Sequence, residues 1–371
     1  MLSRALLAGL ALLGLQGNSF GFQEKKAPEK PSVEVVFCLD TTGSMGGLIQ
    51  AAKQKIWSIS NQIAGGNPVP HLKIGLLAYR DKNDAYITKT YPLTDDLDAI
   101  HAQLKEFQAA GGGDGPEAVN QALNESITKF QWSADKKTLR IIFLVGDAPP
   151  HMDYNDDVKY TETCRLACEK GIIINSIQCG SNGECEKHWK EICFKAEGSY
   201  VRIAQNGGAV QTVSTPFDAR LAAINGELAE KTLAFGSVAS QADGARKNRA
   251  AAALAPGAAA ERAAFQAKNQ QAASYDLLDS IKKGTVKLEA LKEEELPKEL
   301  RELKPEQRKE YLAKLDQKRA DLNKEAIDLD KKRSDFIAKK QNEEAGKTKS
   351  GFDSQVQEVI RNQAKKFNIN Y

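Results

Sequence analysis

Strong net charge is the first thing this chain lacks. Its 52 Lys and Arg residues stand against 49 Asp and Glu, a formal balance of +3 over 371 residues. So weak a field gives no support to a nucleic-acid partner, which a concentrated basic face would attract. Long apolar runs are missing too: beyond the first fifteen or so residues, none approaches the roughly 20 apolar residues that span a bilayer. Histidine is scarce, with four in the chain, and no Cys-x-x-Cys or clustered Cys/His set occurs. Those spacings exclude a structural zinc site. No phosphate loop, dinucleotide fingerprint or nucleophile elbow appears either, so the common enzyme signatures are unrepresented.

What is present begins with Met1-Leu2-Ser3-Arg4, an apolar stretch from Ala5 to Leu15, and small residues around Ser19 and Gly21. That order predicts a secretory signal peptide over 1–21. Residues 22–31, rich in Lys, Glu and Pro, read as a disordered spacer. The expected location is therefore secreted or periplasmic, where cysteines can pair. Of the six, Cys38 falls within a buried-strand pattern and reads as a small core residue. Cys185 and Cys193 are candidates to pair with each other or with Cys179, and the connectivity stays open.

Apolar runs of strand length at 33–39, 72–79, 86–91, 141–145, 172–177 and 200–203 alternate with amphipathic stretches of helix length. Such alternation predicts an α/β fold, doubly wound around a mostly parallel sheet. Runs as continuous as Ile141-Ile142-Phe143-Leu144-Val145 suit strands covered on both faces. The link 80–85 is too short for a crossover helix, so the second and third strands should form an antiparallel hairpin at one edge. Ligands in such sheets bind outside the strands' carboxyl ends, where strand order reverses.

Directly after the first apolar run stand Asp40-Thr41-Thr42-Gly43-Ser44-Met45-Gly46. A carboxylate and two hydroxyls at i, i+2 and i+4 offer hard oxygens to a divalent cation and leave one side open. The same residues would also serve as a polar helix cap. Two further segments bear on the choice: Gly111-Gly112-Gly113-Asp114-Gly115-Pro116-Glu117, and Phe143-Leu144-Val145-Gly146-Asp147 closing another apolar run. In order and spacing the three resemble the metal-ion-dependent adhesion site (MIDAS) of the von Willebrand factor type A domain. The resemblance implies metal binding by Asp40, Thr42 and Ser44, with Asp147 acting directly or through water. In the family the glycine-rich loop supplies a Thr; here that position looks like Gly113, and Asp114 is the candidate replacement. It also implies Mg²⁺, or Mn²⁺ or Ca²⁺, whose shell is completed by an acidic group of a protein partner. At the same rim lie His151, Asp153, Asp156 and Asp157.

The resemblance covers residues 32–215. Beyond it, 216–371 turns to Ala, Lys, Glu, Gln and Leu and reads as a helical extension that folds apart from the first domain. Pro256-Gly257 breaks it, and Leu315, Leu322, Leu329 and Phe336 recur every seven residues, partly like a coiled coil. Arg319 and Arg333, where the alternate apolar positions would fall, argue for packing on a neighbouring helix. Thr215-Pro216-Phe217-Asp218 and this tail resemble bacterial exported members of the family. The expected function is a non-enzymatic, cation-dependent protein-binding module of adhesion type. Two alternatives stand beside it: a metal-dependent hydrolase with His151 as base, and an envelope scaffold whose helical tail does the binding.

Overall fold

A computed structural model describes residues 30–113, 115–206, 213–343 and 352–371. The signal and spacer expected before residue 30, and Asp114, lie outside the described residues. Six strands form one sheet: β1 (Ser32–Asp40), β2 (His71–Tyr79), β3 (Thr88–Thr94), β4 (Thr138–Gly146), β5 (Ile172–Cys179) and β6 (Tyr200–Ile203). Their spatial order is β3-β2-β1-β4-β5-β6. Every neighbouring pair is parallel except β2 and β3, which run antiparallel with Tyr79 opposite Thr88. The hairpin expected from the short link is therefore the sheet's one antiparallel edge. β1 has β2 on one side and β4 on the other, so the order reverses between β1 and β4 and opens a crevice at their C-terminal ends.

Both faces of the sheet are covered, which explains the near-continuous apolar strands. Val33, Val35, Phe37 and Leu39 face α1 (Gly46–Ile63) and α2 (Leu97–Glu106). Val36 and Cys38 face the opposite side, toward α3 (Val119–Thr128), α4 (Tyr160–Glu169) and α5 (Gly183–Lys195). Cys38 is thus the core residue its strand position predicts. None of the six cysteines is paired, which corrects the disulfide expectation. Cys185 and Cys193 stand eight residues apart on α5, about 12 Å along a helix axis, beyond any S–S bridge. Cys179 and Cys185 are each buried, in the core clusters of opposite sheet faces.

The extension comprises α6 (Asp218–Glu230), α7 (Val238–Ala252), α8 (Pro256–Asn269), α9 (Leu277–Lys282), α10 (Lys298–Arg301), α11 (Pro305–Glu343) and α12 (Phe352–Ala364). Pro256 opens α8 at its first turn, where the missing N–H costs no helix bond. The heptad stripe of α11 is used within the chain: Leu322 and Leu329 pack among α6 and α8, Leu315 sits with Leu277 and Leu278, and Phe336 meets Phe217 edge-on. Arg319 grips the fully buried Asp276 through both carboxylate oxygens at 2.8 and 2.6 Å, and Arg333 reaches Asp218 at 2.7 Å.

A separable tail is the sequence expectation, yet α12 lies inside the core of the sheet. Val356, Val359, Ile360, Ala364 and Ile369 belong to the same apolar cluster as β1 and α1. On β5, Asn175 points into that cluster and exchanges two buried hydrogen bonds with Gln363, at 3.2 and 2.8 Å. α8 also docks: Arg262, 1% exposed, makes a two-pronged ion pair with Asp98 at 2.8 and 2.7 Å and lies under the Trp57 ring.

Candidate metal centre

Asp40 ends β1 opposite Gly146, the last residue of β4, so Asp147 emerges beside it at the crevice. The approach is close enough that a Cβ on Gly146 would stand 2.5 Å from Tyr79 Oη and 3.1 Å from Asp40 Oδ2. Only glycine fits there. Asp40 Oδ1 accepts from the Thr42 amide at 2.8 Å and from the Thr42 hydroxyl at 2.6 Å. Its Oδ2 is buried and, among the described residues, has no hydrogen-bond partner. A carboxylate oxygen stripped of water and left unpaired is costly. Burial first, and the Asp147 charge after it, push the Asp40 carboxyl up to about 7, against the pull of its two Thr42 bonds and of Arg80.

The glycine-rich loop folds over this tip. Gly43 N–H donates to Gly111 O at 3.1 Å, and Ala110 N–H to Thr41 O at 3.1 Å. Gly111 and Gly112 hold φ of 78° and 82°, the left-handed region that glycine enters without strain. Ser44, in the short 3₁₀ turn 43–45 that precedes α1, is exposed. Asp147 is half-buried and accepts from Gln205 Nε2 at 2.5 Å.

The fold thus brings Asp40, Thr42 and Asp147 together at the crevice, with Ser44 in the turn that directly follows. It adds a residue that sequence reasoning passed over. Glu117 is 4% exposed, lies within hydrogen-bonding reach of the Thr42 side chain, and has a buried Oε2 without a partner among the described residues. Its main chain is stitched to the loop after β4 by Glu117 N–H to Pro149 O at 2.9 Å and His151 N–H to Glu117 O at 3.1 Å. Burial, then the charges of Asp40, Asp81 and Asp84, drive its carboxyl up to about 9. The available signal was an acidic residue closing the glycine-rich segment, directly ahead of the apolar start of α3.

His151 is placed differently from an open base. It is 4% exposed, stacks on Tyr154 at 3.9 Å, and lies between Asp153 at 2.8 Å and Asp81 at 3.4 Å. Asp156 is engaged by Lys82 at 2.5 Å on the outer rim.

The donor set suits a hard divalent cation: carboxylates and hydroxyls at a strand tip, a buried oxygen with nothing to bind, and glycines where a Cβ would fill the space. Among the described residues, no three His, Cys, Asp or Glu side chains form a ready cage. Hydroxyl ligands are therefore needed as well.

The family model described as the von Willebrand factor A domain matches residues 34–215. Residues 34–215 are a von Willebrand factor A domain. Human von Willebrand factor A domain-containing protein 7 is 31% identical over 148 residues, which is 39% of this chain and 15% of that protein. A putative ariadne-like RING finger protein of Acanthamoeba polyphaga mimivirus is 29% identical over 123 residues, 33% of this chain and 12% of that one. The matched part is thus a small fraction of either relative. Among solved structures, BatB from Bacteroides thetaiotaomicron is similar at 20% identity and a TM-score of 0.35, covering 47% of this chain and 91% of that one. Proximal thread matrix protein 1 of the mussel byssus, in a structure with a zinc-occupied MIDAS motif, is similar at 14% identity and a TM-score of 0.38, covering 48% of this chain and 43% of that one. In the von Willebrand factor A domain described here, the MIDAS-like residues lie at the β1–β4 switch point.

Proposed function

We propose that this protein is a cation-dependent protein-binding module, in which a divalent ion held by Asp40, Thr42, Ser44 and Asp147 is completed by a carboxylate of a partner. The observation that carries the reading is Asp40 Oδ2, buried and unpaired at the strand tip beside a second carboxylate. A cation supplies the missing partner for that oxygen and offsets the repulsion between Asp40 and Asp147. The ion holds an incoming acidic side chain, while the glycine loop and the exposed Ser44 leave its outer side accessible. Export through a signal peptide and work outside the cytoplasm remain part of the proposal. Among the described residues no helix is long and apolar enough to cross a membrane.

The hydrolase alternative needs a base facing a metal-bound water, and His151 is instead stacked on Tyr154 and set between two aspartates. The scaffold alternative needs a free tail surface, and the tail's heptad stripe is occupied by α6, α8 and α9. Titration calorimetry with MgCl₂, MnCl₂ and CaCl₂ tests the metal reading. Asp40→Ala should abolish binding with the fold retained by circular dichroism, and Thr42→Ala or Ser44→Ala should weaken it less, since water replaces one neutral ligand. Unchanged affinity in Asp40→Ala would sink the proposal. An acidic peptide that binds with cation present, and is released by EDTA, supports the partner half.

A further inference from the structure

We infer that Gln205, in the segment that leaves β6, is a positioning residue of the metal centre: its amide fixes Asp147 for the ion and so couples ion binding to the anchoring of that segment, on the way to the helical extension. The inference rests on the metal-site reading above. Gln205 Nε2 lies 2.5 Å from Asp147 Oδ2. An ionised carboxylate only accepts, so the amide nitrogen is the donor and the orientation of the amide is settled. One oxygen of Asp147 is thereby engaged, and the other is left for the ion or its water. Asp40 is arranged alike by different means: Thr42 holds Oδ1 with its N–H and its hydroxyl, and Oδ2 is the oxygen left over. A ligating carboxylate already held through one oxygen has less freedom to lose when the ion arrives.

The chain is shaped to receive this amide. Gly180, directly after β5, has a φ of 79°, and a Cβ there would run into Gln205 Oε1, so any side chain at 180 would push the amide off Asp147. Gly180 N–H also donates to Ile203 O at 3.0 Å, which ties the end of β5 to the end of β6 two residues before Gln205. The next residue makes the second contact. A Cβ on Gly47 would stand 2.8 Å from Asn206 Cα and 2.9 Å from Asn206 Cβ, so the chain passes directly over the first turn of α1. The ladder of β6 ends at Ile203, and beyond it residues 205 and 206 reach both sides of the crevice, Asp147 after β4 and the helix that follows the Asp40 turn. An ion that draws Asp147 into one position strengthens its hold on Gln205, and by linkage an anchored Gln205 favours the ion equally. From here the chain goes on to α6.

The test is calorimetry of the EDTA-treated full chain with MgCl₂ and MnCl₂, joined to backbone hydrogen exchange read by mass spectrometry, on the natural protein and on Gln205→Met. Methionine keeps the length of the side chain beside Gly180 and removes the donor. The expected result is a loss of affinity of about tenfold for both cations, the usual cost of removing the partner of a ligating group. Thermal unfolding in EDTA should shift little, since Gln205 is exposed. In the natural chain either cation should slow exchange over residues 203–206. In Gln205→Met at saturating cation that protection should be lost, while protection over 40–46 remains, which a merely structural role would not produce. Unchanged affinity in Gln205→Met overturns the inference, and so does protection of 203–206 that is absent from the natural chain or the same in both proteins. A natural chain that binds neither cation overturns the metal reading itself, which separates the two failures.

Discussion

Asp40 is where pH acts most directly on this molecule. Its carboxyl titrates near 7 in the cation-free fold, against about 3.9 in an unfolded chain. Between those values the folded state binds a proton that the unfolded state has released, so stability falls as pH rises. Glu117, pushed up to about 9, carries the same sign to higher pH. In EDTA, urea unfolding should therefore show lower stability at pH 8 than at pH 5.5, with a shallower slope in Asp40→Asn. A cation competes with those protons, so apparent affinity should drop as pH falls through about 7. A calorimetric titration series across pH 5.5–8.5 checks it, and pH-independent binding would contradict the buried state of Asp40. Gly146 supplies a second residue-scale test. A methyl group there would lie within 3.1 Å of Asp40 Oδ2 and closer still to Tyr79 Oη, both at the rigid ends of strands. Gly146→Ala should weaken cation binding even where the fold survives.

At the scale of elements, the sequence was most readable where burial imposed a simple pattern. β1, β4 and β5 are covered on both faces, so their sequences are dominated by apolar residues, and the short link after Tyr79 left only an antiparallel return to β3. Asp40 and Asp147 were legible for the same reason: each directly follows such a run. Glu117 was harder to see, because its place depends on main-chain bonds to the loop after β4, which no local spacing encodes. α12 was harder still. The hint was Asn175, a polar residue inside the apolar run of β5, whose amide finds its partner in Gln363, 188 residues later. Gln363→Ala leaves Asn175 short of that partner in a buried setting, a loss of roughly 1–3 kcal/mol by the usual cost of an unmet polar group. Urea denaturation of the variant should show it, and a change under about 0.5 kcal/mol would mean water reaches Asn175.

For the whole molecule, the path of the chain matters more than its composition. After β6 it runs through α6 to α11 and then returns as α12 to cover the sheet beside α1, so the helical extension is enclosed between parts of one core. Val356, Val359, Ile360 and Ile369 are each 6% exposed or less. Burial of four such side chains contributes roughly 6–12 kcal/mol, comparable to the whole net stability of an ordinary domain. α8 adds the Arg262–Asp98 pair, whose disruption would leave Asp98 without its guanidinium. A chain ended at residue 215 should therefore lose cooperative unfolding, or melt far below the full protein, and bind cation poorly because α1, which follows the Asp40 turn, loses its support from α8 and α12. Circular dichroism melts and calorimetry on the shortened and full chains measure this together. If residues 30–215 unfold cooperatively at the midpoint of the full chain and bind cation with the same affinity, the sheet domain stands alone and the return of α12 is dispensable to it.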